Sequence, residues 1–334
     1  MEFGASIASH GFNLFALGLP GSGKTTLIRE YLERRAINQP VPLDLCYVNN
    51  FLDARRPTAL RLPAGHGPQF QRDIAALIVE LREAIPKAFE TKEYDEQRDT
   101  IVHDVEAKVQ AELTRLEEYV ARRNFQLVPT SSGLMLLPTV NGKLISESEL
   151  QLLKPDEQQK LIEQRNRLGE DVEEGVRRKR ELEKGARDAL RALDAETATY
   201  AVSHIVAELR TRYSDRPEVL TYLDALQADV IEHADNFRKG REAEAAASPI
   251  GFTPPGEDPF TRYKVNVLID NHTLTGAPVI VESNPTYQNL VGRIEHKAIW
   301  GAVLTDFTMI KPGALQRANG GYLIIPAREC LLNP

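Results

Sequence analysis

The sequence predicts an α/β fold built around a phosphate-binding turn and interrupted by a long, mostly helical insertion. Three observations predict it. Gly18-Leu19-Pro20-Gly21-Ser22-Gly23-Lys24-Thr25 fits the P-loop pattern G-x-x-x-x-G-K-[ST]. Apolar runs of strand length stand near both ends of the chain, at 12–17, 45–51, 263–270, 278–282 and 321–325. Between them, residues 68–239 carry dense charge with apolar positions at helical spacing.

Each part of the turn has a reason. Phe12 to Leu17 (Phe-Asn-Leu-Phe-Ala-Leu) is predicted to be a buried strand entering the turn. Thr26 to Arg35 is predicted to be the helix leaving it, with Leu27, Ile28, Tyr31 and Leu32 at helical spacing. Glycines let backbone N–H groups point at phosphate oxygens, and the helix dipole adds partial positive charge there. The expected nucleotide-binding residues are Gly18, Pro20, Gly21, Ser22, Gly23, Lys24, Thr25 and Thr26. Lys24 would reach the β- and γ-phosphates of a bound ATP or ADP, and the Thr25 hydroxyl would ligate Mg²⁺. A chance match in a glycine-rich turn is the competing reading, and the flanking strand and helix weigh against it.

Composition narrows the function. The 334 residues are 42% hydrophobic and 27% charged, which suits a soluble protein of one to three domains. A net charge of −7 argues against nucleic acid as the main ligand, because backbone binding needs a basic surface. Cys46 and Cys330 stand far apart in apolar runs and read as buried thiols of a reducing compartment. No apolar segment approaches the roughly 20 residues that span a bilayer. Glu2 and the lack of a basic leading stretch argue against a signal peptide, so a cytoplasmic location is expected.

Residues 1–11 read as the end of a helix and a turn, and so short a lead suggests a truncated or engineered start. The P-loop helix is expected to end near Ala36, ahead of a linker holding Pro40 and Pro42. Leu45 to Phe51 reads as a strand stopped by Asn49-Asn50, and 57–67 as a loop. Strand, P-loop helix and strand imply a parallel sheet, so 1–67 is assigned to the first part of an α/β core.

The insertion follows. Residues 70–90 carry Ile74, Leu77, Ile78 and Leu81 at helical spacing. Residues 93–123 form a charged helix whose stripe, Val102, Val105, Val109, Leu113, Leu116 and Val120, has coiled-coil spacing. That stripe reads as a seam for a partner helix. Over 125–146, Ser131-Ser132-Gly133 and Asn141-Gly142 separate apolar runs and predict a β-meander of two or three strands resting on the adjoining helix ends. Helix returns over 147–213, with a thin stripe of Leu182, Ala186, Leu190, Leu193 and Tyr200, weakened by Gly169, Gly175 and Gly185. The mixed-sign run 173–184 reads as a solvated face. Pro217 opens a further helix to 238. Residues 240–260, rich in Ala, Pro and Gly, read as a mobile linker. The second part of the core, 261–334, is expected to hold strands at 263–270 and 278–282, a loop with a short helix at 284–300, a short helix at 313–319 and a buried strand at 321–325.

The C-terminal stretch also carries a resemblance. Asn284-Pro285-Thr286-Tyr287-Gln288-Asn289-Leu290-Val291-Gly292-Arg293-Ile294-Glu295, then Thr305-Asp306-Phe307, then Lys311 to Leu323 resemble the AAA+ region of Lon-like ATP-dependent proteases, in the subgroup with a long helical insertion inside the ATPase core. Tyr47-Val48-Asn49-Asn50-Phe51, the meander and the P-loop fit the same pattern, so the resemblance covers nearly the whole chain. It implies a hexameric ring of copies that threads unfolded or damaged proteins into a chamber lined by Ser-Lys serine protease domains. Such domains come later in the family's chains, so the resemblance implies an N-terminal fragment with an incomplete AAA+ core and no protease catalytic residues. It also implies a pore loop that grips substrate, and Ile299-Trp300 stands in about that place. A core or interface tryptophan is the other reading of Trp300.

One departure matters. In AAA+ proteins the strand after Gly-Gly-x-Leu ends in Asp-Glu, which hold Mg²⁺ through water and position the attacking water. Here Gly320-Gly321-Tyr322-Leu323-Ile324-Ile325 runs into Pro326-Ala327-Arg328-Glu329. Proline and alanine can do neither, so nucleotide binding with weak or no hydrolysis is expected. Glu329 is a candidate substitute, three residues late, with a surface charge or helix cap as the alternative. Two other functions remain: a non-enzymatic scaffold or gate with a static nucleotide site, and a DNA-linked coiled-coil ATPase, which the acidic charge disfavours.

Overall fold

The computed structural model describes residues 2–7, 11–19, 21–130, 133–140, 143–144, 155–238, 258–299 and 302–332. Pro20, Trp300, both meander turns and nearly all of the expected linker lie outside the described residues. In chain order the first elements are α1 (Glu2–Ser6), α2 (Lys24–Ala36), β1 (Asp44–Val48), β2 (Thr58–Leu62), α3 (His66–Phe89), α4 (Lys92–Ala121), β3 (Phe125–Thr130), β4 (Gly133–Val140) and β5 (Lys143–Leu144). They continue with α5 (Pro155–Arg212), α6 (Pro217–Glu232), a short helix α7 over 234–238, β6 (Val265–Ile269), β7 (Val279–Val281), α8 (Tyr287–Val291), β8 (Gly292–Ile294), β9 (Lys297–Ile299), β10 (Ala302–Leu304), β11 (Ile310–Pro312), α9 (Ala314–Arg317), β12 (Tyr322–Ile324) and α10 (Ala327–Leu332). The chain divides into two compact units, one of residues up to Glu83 and from Ser203 onward, the other of Ala84–Val202. Residues 68–83 and 203–238, which charge pattern groups with the arm, thus share a unit with the strands.

In the first unit the sheet differs from the expected parallel one. β1 lies between β2 and β6 and is antiparallel to both. The connection 49–57 is too short for a parallel crossover, which takes a dozen residues or more, so the chain folds back and the expected loop at 57–67 becomes β2. A parallel pair exists elsewhere: β7 and β12, in register Tyr322 to Val279 and Ile324 to Val281. The expected loop at 284–300 also holds β8, paired with β11, and β9, paired with β10.

The core of this unit follows apolar periodicity. Phe70, Ile74, Leu77 and Leu81 on α3 are buried, as are Val219, Leu223, Leu226 and Val230 on α6 and Cys46, Val48, Leu60 and Leu62 on the sheet. Burial pushes the Cys46 thiol up to about 12, with Asp44 and Asp270 adding to it, which makes it an inert core thiol. Cys330 is only half-buried, unlike its expected burial. Buried polar groups pin the elements. Both carboxylate oxygens of the fully buried Asp44 accept backbone N–H groups, from Gly67 and Asn271, each at 2.8 Å.

Asp73 on α3 accepts from the Tyr213 hydroxyl at 2.8 Å and the Gln69 amide at 2.8 Å, and pairs with Arg212 at 2.8 Å. Burial alone would raise its carboxyl, but the bonds from Arg212, Tyr213 and Gln69 outweigh this and hold it below the usual carboxylate range. A depressed native pKa stabilises the fold above the unfolded value of about 4 and loses that contribution as pH falls through the native value. The expected result is a stability that declines between about pH 4 and lower, with Asp73→Asn flattening the decline in urea titrations; an unchanged acid slope would count against it.

The second unit holds α4, most of α5 and the expected meander. β3, β4 and β5 form an antiparallel meander in that order. Its Phe125, Leu127 and Leu136 close a core with Leu116 and Val120 of α4 and Leu168 and Val172 of α5. The rest of the α4 stripe is half-buried. Tyr94 donates to Asp194 at 2.7 Å and ties the two helices again farther along. Gly175 is a contact point: a Cβ there would stand 2.4 Å from a Leu116 methyl, so only glycine lets α5 approach at this place. Tyr200 is 86% exposed and lies off the seam, while Leu193, Ala198 and Val202 are buried.

Candidate nucleotide site

The expected site residues cluster at the start of α2. Gly21 (φ 78°) and Gly23 (φ 76°) take left-handed backbone that other residues rarely adopt. A bond from the Ser22 N–H to the Leu19 carbonyl at 3.3 Å closes the turn. Gly23 caps α2 without any side-chain bond to its first N–H groups, leaving that end open to an anion. Lys24 folds over the loop and donates from Nζ to the carbonyls of Gly18 at 2.9 Å and Leu19 at 3.0 Å, using two of its three donors. A Cβ on Gly18 would stand 3.4 Å from the Lys24 stem. Thr25 and Thr26 are exposed. This constellation fits a polyphosphate with Lys24 and the first N–H groups of α2 facing it, and Thr25 as a hydroxyl donor set for Mg²⁺.

The strand expected before the loop does not form. Residues 12–19 carry no strand, and Phe15, Leu17 and Leu19 are 71%, 86% and 80% exposed. A strand exists through its ladder, and among the described residues no segment hydrogen-bonds along 12–17.

What positions α2 is its other end. The Ala36 carbonyl accepts the Ala277 N–H at 3.0 Å, just ahead of β7. The Tyr322 hydroxyl, at the start of β12, accepts from Arg35 Nε at 3.1 Å and from Gln39 Nε2 at 2.9 Å. The last turn of α2 is therefore held at the beginnings of both parallel strands, and the helix packs along them. A helix of 13 residues is about 20 Å long, so its glycine end stands well away from these bonds.

Two acids stand after those strands. Glu282 follows β7; its N–H bonds the Ile324 carbonyl at 3.0 Å, extending the ladder. Its carboxylate accepts the Asn284 N–H at 3.0 Å and pairs with Arg317 at 3.2 Å, its side chain 14% exposed. Glu329 lies in the first turn of α10, half-buried, beyond Pro326 and Ala327. Ile299 ends β9, and its neighbour Trp300 lies outside the described residues. Among the described residues there is no group of three or more His, Cys, Asp or Glu placed to hold a metal ion, and no helix is long and apolar enough to cross a membrane.

Comparison with known families decides the kinship. Residues 275–334 match the family model described as LonB-like, AAA domain, and residues 44–77 match the Lon-like LonC helical domain. Over these two segments the chain is similar to Lon-like families. No curated protein matches it. The AAA match spans β7 to α10, so it includes Glu282, Tyr322 and Pro326. The helical-domain match falls on β1, β2 and the first half of α3. The P-loop lies outside both matched segments, and its helix is joined to the AAA segment by the bonds from Arg35 and Gln39 to Tyr322 and from the Ala277 N–H to the Ala36 carbonyl. Sequence reasoning missed the Tyr322 clamp, whose partners Arg35 and Gln39 lie far away along the chain.

Proposed function

We propose that this chain is the nucleotide-binding, substrate-engaging AAA+ part of a Lon-like ATP-dependent protease that acts on unfolded or damaged proteins. ATP or ADP binds with Mg²⁺ at Gly18 to Thr26, other copies of the chain complete a ring, and hydrolysis is weak because Pro326 and Ala327 stand where the acidic pair belongs. The core is divided by the insertion, and the arm of α4, α5 and the meander serves substrate or partner contact. The observation that carries this reading is the docking of the P-loop helix on β7 and β12, the strands of the AAA-matched segment. A second reading, a static nucleotide site in a scaffold or gate, draws on the same Pro326-Ala327.

Titration with a fluorescent ADP analogue tests the first part. Native protein is expected to bind, and Lys24→Ala to bind roughly 100-fold more weakly, since a charged donor to the phosphates is lost. Equal binding by the variant would make the P-loop a relic. Steady turnover of ATP at the pace of an AAA+ motor would overturn the weak-hydrolysis part.

A further inference from the structure

The arm carries a groove that its own fold leaves open. It runs between α4 and α5, inside the second unit, with a volume of about 820 Å³. We propose that this groove is an interface between two copies of the chain, whose arms lie face to face with each α4 antiparallel to the other. The inference is independent of the nucleotide reading.

The floor of the groove is apolar and low. Ile101, Val105 and Leu182 are half-buried, while Ala111, Gly185 and Ala189 are exposed and carry no long side chain. A Cβ on Gly185 would meet nothing within 4 Å, so no contact inside the chain calls for glycine there, although glycine weakens a helix interior.

Charge along the rim says what covers the floor. Asp104, Lys108, Glu112 and Arg115 follow one another on one face of α4 with alternating sign. Within the chain they form surface ion pairs, Asp104 with Lys108 at 2.6 Å and Glu112 with Arg115 at 3.7 Å, which contribute little while solvated. A rim of balanced sign does not suit a nucleic acid or any partner of one charge. It suits itself. A second α4 laid antiparallel about a two-fold axis near Gln110 brings Asp104 opposite Arg115 and Lys108 opposite Glu112, so each charge in the row meets its opposite.

α5 obeys the same operator. The two helices run antiparallel, with Tyr94 bonded to Asp194 and Tyr119 to Asp171, and Glu112 lies 3.5 Å from Arg178. The level of Gln110 on α4 is therefore that of Arg180 on α5, and the groove's charges there, Arg178 and Glu181, stand on either side of it. The axis chosen from α4 alone thus sets Arg178 of one copy opposite Glu181 of the other. Two helical hairpins joined in this way form a four-helix bundle.

Sedimentation velocity of the full chain without nucleotide tests this, with Asp104→Arg, Arg115→Asp and the two combined. Native protein is expected to dimerise in the roughly micromolar range. Each single change sets like charges opposite each other at two symmetry-related places and should weaken the dimer by about tenfold or more. The combined variant restores opposite charges and should return to within about threefold of native. Positions 104 and 115 are about 16 Å apart along α4, at about 1.5 Å per residue, so no contact within one chain can produce that rescue. Ala189→Arg fills the groove from the other helix and should abolish the dimer, with far-UV circular dichroism unchanged. Monomeric native protein overturns the proposal, and so does a combined variant no better than the single ones. An assembly that none of the variants alters overturns this interface while leaving the ring of copies standing.

Discussion

Asp44→Ala is expected to lower the stability of the strand-bearing unit by roughly 3–5 kcal/mol. Its carboxylate accepts from two buried backbone N–H groups, Gly67 at the start of α3 and Asn271 after β6, and is their only acceptor among the described residues. Each buried donor left without an acceptor costs about 1–3 kcal/mol, well above the net worth of the bond itself. The neighbourhood is also tight: a Cβ on Gly67 would approach Asp44 and the Cys46 sulfur at 3.1 Å, so the loop cannot move inward to find another partner. Asp44→Asn should be intermediate, because one oxygen becomes a donor facing a donor. Urea unfolding followed by the tyrosine signal checks this, and a loss under about 1 kcal/mol would show that solvent substitutes for the carboxylate. The functional consequence is specific. Asn271 also donates to the carbonyls of Pro42 and Leu43, on the segment that leaves α2, so the same residue ties the P-loop helix to the sheet.

Such anchors explain which parts of the fold were legible in the sequence. Helices with a periodic apolar face were readable: α3 by Phe70, Ile74, Leu77 and Leu81, α4 by the stripe ending in Leu116 and Val120, and the meander by its Asn-Gly and Ser-Ser-Gly turns. These signals are local, because a face repeats every few residues. Strand partners were not readable. Phe12 to Leu17 has the composition of a core strand, yet a strand depends on which backbone lies beside it, and that is settled by segments distant in sequence. The same holds for β1, whose neighbour β6 comes from beyond the whole insertion. At the site, the glycines and Lys24 were legible as a motif. The Tyr322 clamp on Arg35 and Gln39 was not, since it joins residues 287 and 283 positions apart. Gly175 reads in the sequence as a weakness of α5, and the structure adds that its missing side chain leaves room for Leu116.

The insertion's return to the sheet depends on a second buried acid, and its removal should have an effect of similar size. Asp229, on α6, accepts the Tyr263 hydroxyl at 2.7 Å and pairs with Arg262 at 3.2 Å, just before β6 begins. Tyr263 is 2% exposed, and burial followed by the bond to Asp229 drives its phenol well above the usual tyrosine range. Nearby, the Tyr222 hydroxyl is buried with no hydrogen-bond partner among the described residues. Asp229→Ala therefore strands the Tyr263 hydroxyl in an apolar setting and is expected to cost roughly 3–4 kcal/mol. Tyr263→Phe alone removes donor and demand together and should cost only about 1 kcal/mol. The decisive variant is the double one: Asp229→Ala with Tyr263→Phe should be more stable than Asp229→Ala by about 1–2 kcal/mol, because the orphaned group is gone. Additive losses in that cycle would show that Asp229 acts instead through Arg262 or through His233, whose Nδ1 lies 3.4 Å from Asp229. If the coupling is as expected, the chain enters β6 in a register fixed by Asp229, and through β6 and Asn271 that register reaches the segment between α2 and β1.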